Sequence, residues 1–259
     1  MKGKFFCVVI PVFNEEVGIK SFVQDLFNFL SSEFPFESTI IIVNDNSTDG
    51  TLTELNDLKN SLRHSGSLQF CELIIHTSNN SKGYGNAVKE AFKFEYEREH
   101  DFFIIMDSDG TNPVEDILQI YNKIQLGFRY IKANRFFSNS NFGKNARSFQ
   151  RSILSSIAHK VIRSIVKSEC LDPSNGFRAI GSEFKPVVLQ NSGGFSSIIE
   201  EWIKLEEMGI KISNFNSKLG VRDEKQRKSS FDYSLTTIFQ YLKPILAMSF
   251  RRTRSGFGN

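Results

Sequence analysis

The chain of 259 residues reads as an α/β fold, a mostly parallel sheet flanked by helices, on three observations. Short apolar runs, too brief for helices, alternate four times with segments of helical apolar periodicity. Each run is followed by a polar, Gly- or Asx-rich loop, and an open parallel sheet keeps its ligand crevice at those carboxyl ends. The fourth run, Phe102-Phe103-Ile104-Ile105-Met106, ends in Asp107-Ser108-Asp109-Gly110. In an extended strand, residues i and i+2 project from one face, so both carboxylates reach one point beyond the strand. Two hard oxygen donors there suit Mg²⁺ or Mn²⁺, with positions left for the phosphates of a nucleotide. The plainer alternative for an isolated D-x-D is a solvated turn.

Taken in order, a first strand at 5–10 leads into Pro11-Val12-Phe13-Asn14-Glu15-Glu16. Asn14 is placed to cap a helix whose first turn carries Glu15 and Glu16, and Ile19, Phe22, Val23, Leu26, Phe27 and Leu30 form its apolar face. A second strand at 39–43 runs into Asn44-Asp45-Asn46-Ser47-Thr48-Asp49-Gly50-Thr51. Ser47 to Asp49 supply caps for a helix carrying Leu52, Leu55 and Leu58. After a polar excursion at 59–69, a third strand at 71–76 leads through Ser81-Lys82-Gly83-Tyr84-Gly85-Asn86 to a helix with Ala87, Val88, Ala91 and Phe92. The strand before the two aspartates follows, and all four motif loops fall on one rim.

Beyond Pro113 the pattern predicts a helix with Val114, Ile117, Leu118, Tyr121 and Ile124, then a strand at 130–135 ending in Arg135. A Ser-, Asn- and Gly-rich loop at 138–148 and a helix at 149–166 come next. The turn Leu171-Asp172-Pro173-Ser174-Asn175-Gly176-Phe177-Arg178 precedes a short apolar stretch. A helix at 196–205 bears Glu200, Glu201 and Trp202, a strand follows at 210–215, and a basic segment at 222–230 contains Arg222 and Lys228.

Several functional classes are excluded. Gly83-x-Gly85 is not a dinucleotide fingerprint, because Val88 stands where a third Gly or Ala is needed, and no P-loop is present. A net charge of +3 argues against nucleic acid as the main partner. Cys7, Cys71 and Cys170 lack C-x-x-C spacing and read as buried reduced thiols of a cytoplasmic protein without structural zinc. No signal peptide is evident, and no apolar run approaches the roughly 20 residues of a membrane span. Many of the 26 phenylalanines lie in amphipathic segments, where core packing explains them. The length allows one large domain or two small ones.

The motifs VVIPVFNEE, IIIVNDNSTDGT, NSKGYGNAVKEAF, FFIIMDSDGTNP, LDPSNGFRAI and GFSSIIEEWIKLEEMG, in this order over nearly the whole chain, resemble family-2 glycosyltransferases of the GT-A fold. They are most similar to the dolichol-phosphate mannosyltransferase and polyprenyl-phosphate sugar transferase branch. The resemblance implies a single GT-A domain over 1–230, with a nucleotide-sugar half at 1–112 and an acceptor half at 113–230. It implies that Pro11, Asn14 and Glu15 line the nucleotide, that Asp45 accepts from the base, that Lys82 and Gly83 close over the nucleotide, and that Asp107 and Asp109 bind the metal. Asn44 stands where the family often has a second aspartate, and Thr111 where close relatives carry a Gln or similar ligand.

The expected reaction is metal-dependent, inverting transfer from a GDP- or UDP-sugar to a polyprenyl (dolichyl or undecaprenyl) phosphate. Arg135, Arg178, Arg222 and Lys228 lie at positions resembling the phosphate binders of that branch, and Glu200 aligns with a glutamate of its acceptor helix. A phosphate acceptor needs cations, whereas a saccharide hydroxyl needs a general base such as Glu200, whose other role is to pair with an arginine. Transfer to a saccharide hydroxyl in envelope polysaccharide assembly is the first alternative, and a non-catalytic nucleotide-sugar-binding subunit the second. Residues 231–259 form an amphipathic, basic tail with Leu235, Ile238, Phe239, Leu242, Ile245 and Leu246 on one face and Arg251, Arg252 and Arg254 at its end. It reads equally as an interfacial helix or as a helix packed on its own domain. The lipid-phosphate acceptor favours peripheral binding at the cytoplasmic face of a membrane, and the resemblance adds a small membrane protein as a partner of some members.

Overall fold

Alternation along the central strands divides the apolar residues between two cores, one on each face of the sheet. In a computed structural model, which describes residues 5–65, 71–78, 82–94, 100–135 and 168–218 and Lys243, the first strand β1 (Phe6–Val12) is buried throughout. Phe6, Val8, Ile10 and Val12 belong to one core, and Cys7 and Val9 to the other. A strand covered on both faces has no polar side, and this is why the runs read as continuously apolar.

β1 pairs in parallel with β2 (Ser38–Asn44) and β4 (Phe102–Ile105), and β2 with β3 (Cys71–Thr77). The seven-stranded order is β3-β2-β1-β4-β6-β5-β7. β6 (Arg178–Gly181) runs antiparallel between β4 and β5 (Tyr130–Asn134), and β5 pairs in parallel with β7 (Ile212–Asn216). Because β6 is reversed, its first residue, Arg178, sits opposite Ile105 at the end of β4. The turn before β6 therefore joins the rim where the parallel strands end. The chain order reverses between β1 and β4, and the crevice at such a switch point is where open α/β sheets bind ligands.

Helices α1 (Ile19–Ser32), α2 (Thr51–His64) and α4 (Asp116–Gln125) send their buried residues into the first core. Helix α3 (Tyr84–Phe94), the short α5 (Lys185–Leu189) and α6 (Ser197–Glu207) cover the opposite face. All three cysteines are buried and free of disulfides.

Three local expectations are corrected. Helix α1 starts at Ile19 behind Gly18 (φ 100°), with no acid in its first turn and no side-chain cap, so Asn14 is not its cap. The Asn14 side chain is engaged elsewhere, across the rim. Leu118 is 38% exposed, and Ile120 takes the core position on α4, between Ile117 and Ile124. β4 ends at Ile105, and Asp109 already lies in a turn, so the strand pleat does not relate the two carboxylates. The expected loop at 138–148, the helix at 149–166, the segment at 222–230 and the tail at 231–259 lie outside the described residues.

Candidate active site

Four loops and one turn meet at the rim, each held by side chains that the local sequence supplies. After β1, Asn14 adopts a left-handed backbone (φ 54°), tolerable for an Asn. Its amide donates to Ser47 Oγ at 3.0 Å, and its Oδ1 accepts the Thr48 amide at 2.7 Å. Glu16 accepts the Gly50 amide, and the Glu15 amide donates to Thr51 Oγ1. The first two motif loops are thereby stitched into one wall. Pro11 is buried within β1, Glu15 is 5% exposed, and Asn14 lies open on the rim.

After β2, Asn44 is 2% exposed and its Oδ1 accepts the Ser47 amide at 3.1 Å. The residue that replaces a charge in the motif thus serves the turn itself. Asp45 Oδ2 accepts the Gly83 amide at 2.6 Å, at the start of α3, while Oδ1 is buried with no hydrogen-bond partner among the described residues. Burial pushes the Asp45 carboxyl up from its ordinary value, against the downward pull of the Gly83 amide and the Lys82 charge. Lys82 itself is exposed. An orphaned carboxylate oxygen next to a loop amide is a receptor for an N–H donor.

After β4, the Asp107 amide donates to Asn112 Oδ1 at 3.2 Å. Asp109 Oδ1 accepts both the Thr111 amide at 3.0 Å and the Thr111 hydroxyl at 2.6 Å. These side-chain bonds, together with Gly110 at φ 69°, close the turn. Thr111 braces Asp109, with its hydroxyl proton directed at that carboxylate. Among the described residues no group of three or more His, Cys, Asp or Glu is placed to hold a metal ion. Two carboxylates at an open strand end nonetheless fit a hard dication whose shell is completed by substrate phosphates and water.

The turn before β6 supplies the rest. Gly176 lies against Asp107: a Cβ there would fall 2.4 Å from Oδ1. Asp172 is fully buried and grips Arg135 with both oxygens, at 2.7 and 3.0 Å, while the Arg135 side chain stays 31% exposed at the rim. Arg178, 1% exposed, makes a two-point pair with Glu201 on α6 and also donates to Tyr84 Oη and the Gly176 carbonyl. Arg178 is thus enclosed beneath the rim. Behind the turn, buried Lys132 donates to the Asn175 carbonyl at 3.0 Å, and burial pulls its ammonium down to about 8. The Glu200 carboxylate accepts the Ser192 amide at 2.7 Å and the Ser196 hydroxyl at 3.3 Å.

The structure therefore brings Asn14, Glu15, Asp45, Lys82, Gly83, Asp107, Asp109 and Arg135 to one rim; Arg222 and Lys228 lie outside the described residues. Sequence reading missed Tyr84, Asp172, Gly176 and Glu201. One signal was available: on α6 Glu201 falls among Ile198, Trp202 and Leu205, and a carboxylate on an apolar face announces a buried partner.

Residues 7–184 match the profile of Glycosyl transferase family 2. The dolichol-phosphate mannosyltransferase of Saccharomyces cerevisiae is 26% identical over 247 residues, covering 93% of this chain and 85% of that relative. The UDP-N-acetylglucosamine–dolichyl-phosphate N-acetylglucosaminyltransferase of Methanococcus voltae is 29% identical over 128 residues, 48% of this chain and 49% of its own length. Among solved structures, glucosyl-3-phosphoglycerate synthase of Mycobacterium tuberculosis with Mn²⁺, uridine diphosphate and glucosyl-3-phosphoglycerate superposes with a TM-score of 0.64 at 19% identity, covering 96% of this chain and 81% of that one. At that identity the likeness shows the shared fold.

Proposed function

The chain belongs to glycosyl transferase family 2, and from that premise we propose that it transfers a sugar from a nucleoside-diphosphate sugar to a polyprenyl phosphate. The donor's base faces Asp45, whose Oδ1, unpartnered among the described residues, awaits an N–H donor. Its diphosphate lies towards Asp107 and Asp109, which would hold a divalent cation; when bound, that ion would offset the charge developing on the departing nucleoside diphosphate. An acceptor phosphate oxygen bonds to the anomeric carbon from the opposite face as the bond to the diphosphate oxygen breaks, inverting the centre. The acceptor is already an anion, so no proton need be removed.

The observation that carries the acceptor class is the contrast between Glu200 and Arg135. The Glu200 carboxylate is engaged by Ser192 and Ser196, which suits a structural acceptor more than a base, while Arg135 offers a partly exposed guanidinium fixed by Asp172. The extended likeness to a dolichol-phosphate mannosyltransferase supports the same choice. Arg222 and Lys228 are proposed to add charge for the acceptor phosphate. Arg178, being enclosed, supports the site through the turn it holds. No helix among the described residues is long and apolar enough to cross a membrane. Contact with a lipid acceptor is proposed for the basic tail at 231–259, peripherally at the cytoplasmic face, on its sequence and the acceptor class.

Kinetics of three variants test this reading. Arg135→Ala and Arg222→Ala are expected to impair transfer strongly, and Glu200→Gln to retain substantial activity. The reverse order, with Glu200→Gln the severe variant, is what a saccharide hydroxyl acceptor requires.

A further inference from the structure

Tyr84 opens α3 directly behind Lys82 and Gly83, and it contacts the acceptor half twice. Its ring stacks on Phe195, with centroids 5.1 Å apart and planes at 18°. Its Oη accepts from Arg178 Nη1 at 3.0 Å, and Arg178 is in turn locked to Glu201. Burial pushes the phenol well up against the opposing pull of Arg178, so the hydroxyl stays protonated.

The backbone around Tyr84 leaves no slack. A Cβ on Gly83 (φ 112°) would fall 2.7 Å from the Gly193 carbonyl, and one on Gly85 would fall 2.5 Å from the Ser192 carbonyl. The Asn86 amide donates to that same Gly193 carbonyl at 3.0 Å. The loop whose Gly83 amide is held by Asp45 is thereby seated, backbone on backbone, against 192–196. Glu200 grips that segment in turn, through Ser192 and Ser196.

We propose that Tyr84 is a positioning residue that couples the donor loop at 82–86 to the acceptor segment at 192–196, so that filling the nucleotide site orders the acceptor side. The inference rests on the donor reading above. Nucleotide at Asp45 reinforces the bond that already holds Gly83, Gly83 carries Tyr84, and the ring and hydroxyl of Tyr84 pass that order to Phe195 and the Arg178–Glu201 pair. The ring is the larger part of the link, since it meets Phe195 face to face, and the hydroxyl adds one bond to a charged donor.

Amide hydrogen exchange on the full chain tests this with wild type, Tyr84→Phe and Tyr84→Leu, each free and with uridine or guanosine diphosphate plus Mn²⁺. In wild type the nucleotide is expected to slow exchange at 192–196. Tyr84→Phe, which keeps the ring, retains most of that protection, and Tyr84→Leu loses it while still binding nucleotide at Asp45. Full protection in Tyr84→Leu overturns the proposal. Should neither nucleotide bind any of the three proteins, the donor reading fails, and the coupling is read from the free proteins. There Tyr84→Leu is expected to exchange at 192–196 about two- to tenfold faster than wild type, the worth of a lost aromatic pair. Equal rates overturn the proposal on that arm, and Tyr84→Phe, which preserves the ring packing, separates loss of the link from general misfolding.

Discussion

Asp45 and Gly83, 38 residues apart, are joined by a 2.6 Å hydrogen bond that leaves the second oxygen of the carboxylate buried and without a partner among the described residues. The bond holds the loop at 82–86 and leaves the remaining oxygen as the proposed base receptor. A hydrogen bond to a charged acceptor is worth about 1.5–3 kcal/mol. Asp45→Ala is accordingly expected to raise the dissociation constant of the free nucleoside diphosphate by one to two orders of magnitude in calorimetry. An unchanged constant removes Asp45 from the site.

The same burial has a signature in stability. The folded carboxyl is raised above its ordinary 3.8, so protonation favours the folded state. That advantage is complete below 3.8 and is lost as pH rises through the folded value. Asp45→Asn, which removes the charge, should raise the melting temperature at neutral pH, with the gain shrinking as pH falls towards 3.8. A gain independent of pH would mean that ionisation of Asp45 is not its source. Loss of nucleotide affinity alongside higher stability is the usual exchange at a functional site.

The pair of aspartates separates activity from folding. Asp109→Asn keeps an oxygen for Thr111 but is a far weaker ligand for a hard dication, so transfer should be abolished with the melting temperature near wild type. Asp107→Asn should mainly weaken donor binding. Gly176→Ala puts a methyl group within 2.4 Å of Asp107 Oδ1 and displaces that carboxylate or the turn beneath it. Its donor affinity, measured with Mn²⁺ present, is expected to fall; wild-type affinity would show that the turn yields without disturbing Asp107.

Glu201 carries stability. Its pair with Arg178 is 1% exposed on both sides, and Tyr130 Oη donates to the same carboxylate at 3.0 Å. Glu201→Ala leaves an uncompensated buried guanidinium, and urea unfolding should show a loss of about 3–5 kcal/mol. Replacing both partners, Arg178→Met with Glu201→Leu, should cost less than the single change, because the charge is then gone. A double variant less stable than Glu201→Ala would contradict that origin.

What the sequence made legible follows from the range of the interactions. β1 to β4 and the apolar faces of α1 to α3 rest on periodicity, a local property, and their expected spans agree with the strands and helices to within a few residues at most ends. The start of α1 was missed because Asn14 spends its side chain on Thr48, a partner 34 residues away. On α4, Leu118 and Ile120 are equally apolar, and only the packing decides which is buried. The paired aspartates were visible, but their geometry was not, since Asn112 and Thr111 bend the chain where an extended strand was expected. Arg178 was expected among the cations that bind phosphate, yet it is 1% exposed. Its enclosure depends on β6 running backwards beside β4, a topology that no local pattern encodes.

The central claim, sugar transfer to a lipid phosphate, is tested most directly by partition of label. Purified full chain is incubated with a panel of radiolabelled GDP- and UDP-sugars, polyprenyl phosphate in detergent and Mn²⁺ or Mg²⁺, and the products are extracted into organic solvent. One donor is expected to carry label into the organic phase, with the signal lost in EDTA and in Asp109→Asn. Label that stays in the aqueous phase on a saccharide acceptor, or organic-phase label undiminished by EDTA, would contradict the acceptor or the metal respectively.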